Sequence, residues 1–121
     1  MTENYRYYEG FEGEPEYTLC LCDKNFPIEK IHIWDGYFSD IIETVEPAQN
    51  GWESLAKYYH LCIDFDNDNW KVPDIESALQ QLKNIDTSKI EFPKSHDILK
   101  LLIEMFTKAC ENNLTVYIEY C

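Results

Sequence analysis

Apolar positions along the chain change period several times, and each change marks an element. From Tyr17 to Cys22 they alternate: Tyr17, Leu19 and Leu21 fall on one face, Thr18, Cys20 and Cys22 on the other. This period of two predicts a short strand. Gly10, Gly13 and Pro15 mark a loop before it. Ile31 to Trp34 is again β-prone and runs into Asp35-Gly36, a dipeptide that favours a tight hairpin. The period then becomes helical: Phe38, Ile41, Ile42 and Val45 form one stripe, with Asp40, Glu43 and Glu46 opposite. The preferred reading is a strand, a turn and a short helix ending near Pro47, with a hairpin as the alternative.

Asn50-Gly51-Trp52-Glu53 has the form of a capping box, with Asn50 as N-cap and Glu53 reaching back. The helix it would open places Trp52, Leu55, Ala56 and Tyr59 on one stripe. Pro73 suits the first turn of a further helix, whose dipole Asp74 and Glu76 complement. Ile75, Ala78, Leu79, Leu82 and Ile85 form its buried face. Ser95 is placed to cap the last helix, which runs to about Glu111 and is apolar around most of its girth. Lys100, Glu104, Thr107, Lys108 and Glu111 supply its wet edge. Such a helix belongs at the centre of a domain, packed on a sheet. Asn112-Asn113 ends it, and Leu114, Val116, Ile118 and Tyr120 alternate with Thr115, Tyr117 and Glu119 as a closing strand. The expected class is α+β: one domain over residues 1–121, with a small, mainly antiparallel sheet that includes the N- and C-terminal strands. About four helices pack on it.

Charge alters this picture more than composition does. The chain has 23 Asp and Glu against 10 Lys and Arg, a formal net charge of −13. Spread evenly over a surface of about 6,800 Å², that charge would give a partner patch of about 800 Å² only one or two net negatives. The acids are instead bunched. Asp35, Asp40, Glu43 and Glu46 come with no base between them. Asp64, Asp66, Asp68, Asp74 and Glu76 face Lys71 alone. A surface of this kind repels nucleic acid and anionic membrane and attracts basic proteins. Five cysteines, an odd number, follow an N-terminus with no basic or apolar leader. No apolar run reaches the ~20 residues of a membrane span. These features point to free thiols in a reducing, cytoplasmic compartment.

No catalytic pattern is present: there is no nucleophile elbow, phosphate loop or zinc-protease motif. Asp64-Phe65-Asp66-Asn67-Asp68 begins like a calcium loop, but Asn69 stands where a glycine is needed and Ile75 where a bidentate glutamate is needed. Cys20 and Cys22 lie on one side of a strand at a Cα spacing of about 6 to 7 Å, which favours a structural role. His32, His60 and His96 lack ligand spacing. The expectation is a binding protein with no enzyme site, metal or cofactor. Asp64, Asp66, Asp68, Asp40, Glu43 and Glu46 are its candidate contact residues, and Trp70 a candidate aromatic anchor.

Gly51-Trp52-Glu53-Ser54-Leu55 through Tyr58-Tyr59, then Trp70-Lys71-Val72-Pro73-Asp74 and Leu79-Gln80-Gln81-Leu82, resemble a pattern in bacterial immunity proteins of contact-dependent growth inhibition and related polymorphic toxin systems. The resemblance implies a cytosolic antidote that binds a cognate toxin C-terminal nuclease domain in a 1:1 complex. Many such toxins are ribonucleases, and the antidote covers a basic active-site cleft. The alternative is an acidic nucleic-acid mimic, or an adaptor for another basic protein.

Overall fold

Lys24 and Asn25 have φ of 50° and 72°, and this left-handed pair folds β2 (Glu16–Asp23) back on β3 (Phe26–Trp34) as an antiparallel hairpin. The computed structural model, which describes residues 1–62 and 69–121, thus puts the hairpin turn at 24–25. Asp35-Gly36 instead opens helix α1 (Asp35–Ile42), as the helical stripe requires. Glycine is needed at position 36 for space: a Cβ there would collide with the Trp34 indole.

The other edge of β2 pairs antiparallel with β5 (Thr115–Tyr120), so the predicted early and closing strands are neighbours. The short β4 (Trp70–Lys71) pairs antiparallel with β5, and β1 (Thr2–Tyr7) runs parallel to β3. The order is β1-β3-β2-β5-β4. Strand β1 was absent from the predicted elements. Of its residues only Tyr7 is buried, so no alternating apolar face betrays it.

Tyr17, Leu19, Leu21, Ile31, Ile33, Val116 and Ile118 form the inner face of the sheet, all buried. Helix α4 (Pro93–Asn112) lies in the core as its girth of apolar residues predicts, burying Ile98, Leu99, Leu102, Met105, Phe106 and Ala109. It packs against α1, α3 (Ile75–Lys83) and β5. Asn113 ends it in the left-handed region, at φ 54°. Ala78, Leu79, Leu82 and Ile85 supply the buried side of α3. A four-residue helix, α2 (Ser54–Lys57), followed by a π turn at Tyr58–Cys62, completes the helical layer.

Four helix ends differ from their sequence-based expectations. Helix α3 begins at Ile75 behind its N-cap Asp74, so Pro73 lies ahead of its first turn. Helix α1 stops at Ile42 rather than near Pro47, because the Thr44 hydroxyl donates to the Ile41 carbonyl at 2.7 Å and the chain tightens into 3₁₀-type bonds. Asn50 caps no helix. Ala48 and Gly51 exchange reciprocal backbone bonds, with Gly51 at φ 107°, and α2 begins later, after Glu53. Its first turn is held by Gln81 of α3, which donates to the Glu53 carbonyl at 2.8 Å and accepts from the Ala56 amide at 3.3 Å. Ser95 is likewise not a cap. It is buried inside α4, whose N-cap is Phe92 with Pro93 next. The Asp40 carboxylate of α1 takes that part, accepting from the Glu91 and Phe92 amides at 3.0 and 2.9 Å. Asp40→Ala is expected to cost about 1 to 2 kcal/mol, the worth of a good cap, and Asp40→Asn less. Chemical denaturation of the three proteins would check this.

Candidate protein-binding groove

The segment joining α1 to α2 and the outer side of α3 face each other across an open groove of about 980 Å³. Its carboxylates are Glu46 and Glu53 from one wall and Asp74, Glu76 and Asp86 from the other. Beyond Thr44, Glu46 and Lys89, which line both, lies a shallower hollow of about 360 Å³ with Asp40, Glu43 and Glu91. Among the described residues, the two together are lined by 23, including eight carboxylates but only two lysines, Lys57 and Lys89. That is about the residue count of one side of a standard protein interface. The net charge of −6 is several times what an even spread would give.

The acids are fixed to different degrees. Asp74 is the N-cap of α3, accepting from the Ser77 amide at 3.0 Å and the Ser77 hydroxyl at 2.8 Å. Asp86 does the same for the 3₁₀ turn Thr87–Lys89 through Ser88. These bonds hold both carboxyls below the usual range, so they remain anionic in mild acid. Glu43 accepts from the Tyr59 phenol at 2.6 Å. Burial, and after it Glu43, pushes that phenol up to about 12, which keeps it a donor. Glu46 is 78% exposed and meets Lys89 at 3.4 Å. An exposed pair of this kind contributes little to stability, so a competing partner displaces it at low cost.

Two aromatic side chains border the acids. Trp52 lines the main groove, its ring stacked on His60 at 3.9 Å. Phe92, 39% exposed, lines the second hollow and meets Trp34 and Tyr37 edge-on. Flat rings among carboxylates suit guanidinium groups, which stack and pair at once.

Among the sequence-predicted contact residues, Asp40, Glu43 and Glu46 are brought together here, though Asp40 is tied to α4. Trp70 lines neither hollow. It is half-buried, stacked on Tyr58 at 4.5 Å and packed on the core. Trp52, assigned from sequence to a core stripe, is likewise half-buried and packed on the core, and it also borders the groove. Asp64, Asp66 and Asp68, with the calcium-like pattern, lie outside the described residues. The wall formed by α3 and the turn after it was not expected, although Asp74 and Glu76 stand out in sequence as part of an acidic run. The stretches around Trp52-Glu53, Pro73-Asp74 and Gln80-Gln81 all line the groove, and Gln81 bonds the first to the last.

The lowered carboxyls of Asp74 and Asp86 have a consequence in acid. A carboxyl that is more acidic in the folded chain stabilises it fully above the unfolded value of about 4, and that contribution is lost as pH falls through the folded value. Thermal midpoints of the wild type, Asp74→Asn and Asp86→Asn are therefore expected to differ most at neutral pH and to converge in acid, as the pH falls through the lowered carboxyl values. A constant gap would contradict the assignment.

No helix among the described residues is long and apolar enough to cross a membrane. No known family, curated protein or solved structure matches the chain.

Proposed function

We propose that this chain acts by stoichiometric binding, as an immunity protein that neutralises a cationic toxin domain, most simply a ribonuclease, in the cytoplasm. The observation that carries the reading is the groove itself: eight carboxylates and two border aromatics gathered on one standard-sized patch. A nuclease must present Lys and Arg to the phosphates of its substrate. A groove rich in carboxylates competes for those same groups and excludes the nucleic acid. Opposite fields speed encounter, and close charge pairs at a packed centre slow release. Parts of the segments that resemble immunity proteins, Trp52 to Ser54, Pro73-Asp74 and Gln80-Gln81, line this same groove, and the finer identification rests on that resemblance.

The test is co-expression with the C-terminal domain encoded directly upstream, since an antidote gene normally follows its toxin gene. The expected result is a 1:1 complex and survival of cells that otherwise die. Capture of a basic protein unrelated to any toxin would favour the adaptor alternative. Failure to bind or protect would remove the immunity reading.

A further inference from the structure

Strand β2 carries a second group of reactive side chains on the face of the sheet opposite α1 and α4. There Cys20 stands in register between Lys30 of β3 and Tyr117 of β5. The pairing with β3 slips between Leu21 and Cys22, leaving Ile28 as an extra residue. Bulges of this kind sharpen the local twist and re-aim side chains. The Cys20 and Cys22 sulfurs are 3.3 Å apart, much closer than the Cα spacing of a regular strand suggests. They border a hollow of about 330 Å³ that Lys30, Tyr117 and Glu119 also line.

We propose that Cys20 and Cys22 form a two-thiol chelate for a single trivalent arsenic centre, arsenite or an organoarsenical. The sulfur spacing selects the geometry. One atom bonded to both sulfurs at about 2.3 Å, the length of a metal–thiolate bond, bridges 3.3 Å at an angle of about 90°. That is a pyramidal three-coordinate centre. A tetrahedral ion at the same bond length needs a gap of about 3.8 Å, and a linear one about 4.6 Å.

Charge selects in the same direction. Cys22 is buried, and burial, followed by the hydrogen bond to Cys22, pushes the Cys20 thiol up to about 12. A product that leaves net charge on the sulfurs is disfavoured there. Condensation with an organoarsenous oxide forms two As–S bonds and breaks the As–O linkage. The two thiol protons leave with that oxygen as water, arsenic stays trivalent, and the chelate is neutral. A monovalent soft ion held by two thiolates would retain a negative charge.

The probe is phenylarsine oxide, added to the reduced full chain and followed by intact mass and by counting of free thiols. One adduct per chain is expected, with the loss of two thiols. Cys20→Ser and Cys22→Ser should each weaken binding about 100-fold, because the second bond is intramolecular only when both thiols are present. A chain with Cys62, Cys110 and Cys121 all replaced by serine should keep the adduct. Should that chain not fold, the two single variants, checked by circular dichroism, decide the matter. An affinity that neither single substitution changes overturns the proposal. So does zinc binding tighter than the arsenical, which would mark a tetrahedral site.

Discussion

Phe106→Ala is expected to remove about 3 to 5 kcal/mol of stability, the larger part of what a domain of this size possesses at the low end of about 5 to 15 kcal/mol. Phe106 is fully buried near the middle of α4, which contacts α1, α3 and the sheet. Truncating it opens a cavity in the hydrophobic core that the surrounding structure closes only in part. The same truncation at exposed Lys100 should change stability by less than about 0.5 kcal/mol. Urea denaturation of both variants tests the placement of α4. A loss below about 1.5 kcal/mol for Phe106→Ala, the cost of a partly exposed site, would mean that the helix does not occupy the centre.

The second large effect concerns the groove. Each Glu→Lys reversal shifts its charge by two, so Glu46→Lys, Glu53→Lys and Glu76→Lys together take the patch from a net −6 to zero. These three are chosen because Asp40, Asp74 and Asp86 hold backbone turns, and reversing them would damage the fold. The triple variant should keep a native circular dichroism spectrum. It should also associate with a cationic nuclease domain about 10 to 1,000 times more slowly at low salt. Raising ionic strength should slow the wild type and leave the variant nearly unchanged.

The sequence made the strands and helices legible wherever one face of an element is buried and the other is wet. Tyr17 to Cys22, the α1 stripe, the α3 stripe and the girth of α4 all carry their period openly. Strand β1 does not, since it meets the sheet through backbone pairing and through Glu3 and Tyr5 against His32, contacts with no periodic trace. Helix starts divide in the same way. Asp74 finds its partner three residues on, in Ser77, within reach of local reasoning. Gln81 and Asp40 hold helices that begin far away in sequence, and local signals at Asn50 and Ser95 drew attention to the wrong residues. The β2–β3 turn was missed because Lys24-Asn25 lacks the glycine that usually announces a left-handed pair.

The candidate site was half visible for a related reason. Asp40, Glu43 and Glu46 form a cluster along the chain, so charge counting finds them. Glu53, Asp86 and Glu91 are scattered in sequence: Glu53 and Asp86 line one groove with α3 packed beside α2, and Glu91 joins Asp40 and Glu43 in the adjoining hollow. Trp52 and Trp70 have equally ambiguous surroundings in sequence. Both are half-buried and packed on the core, one stacked on His60 and the other on Tyr58, and only the fold shows that Trp52 is the one bordering the groove. The cysteine pair shows the limit of ideal geometry, since Cα spacing along a strand leaves the side-chain rotamers open and the two sulfurs lie 3.3 Å apart.

The most direct measurement is the association rate of the chain with the nuclease domain encoded upstream, taken across a salt series for the wild type and the triple reversal. Docking through the groove's carboxylates predicts a fast, steeply salt-sensitive rate that the reversal slows and makes insensitive to salt. Equal rates for the two proteins, flat with ionic strength, would contradict it.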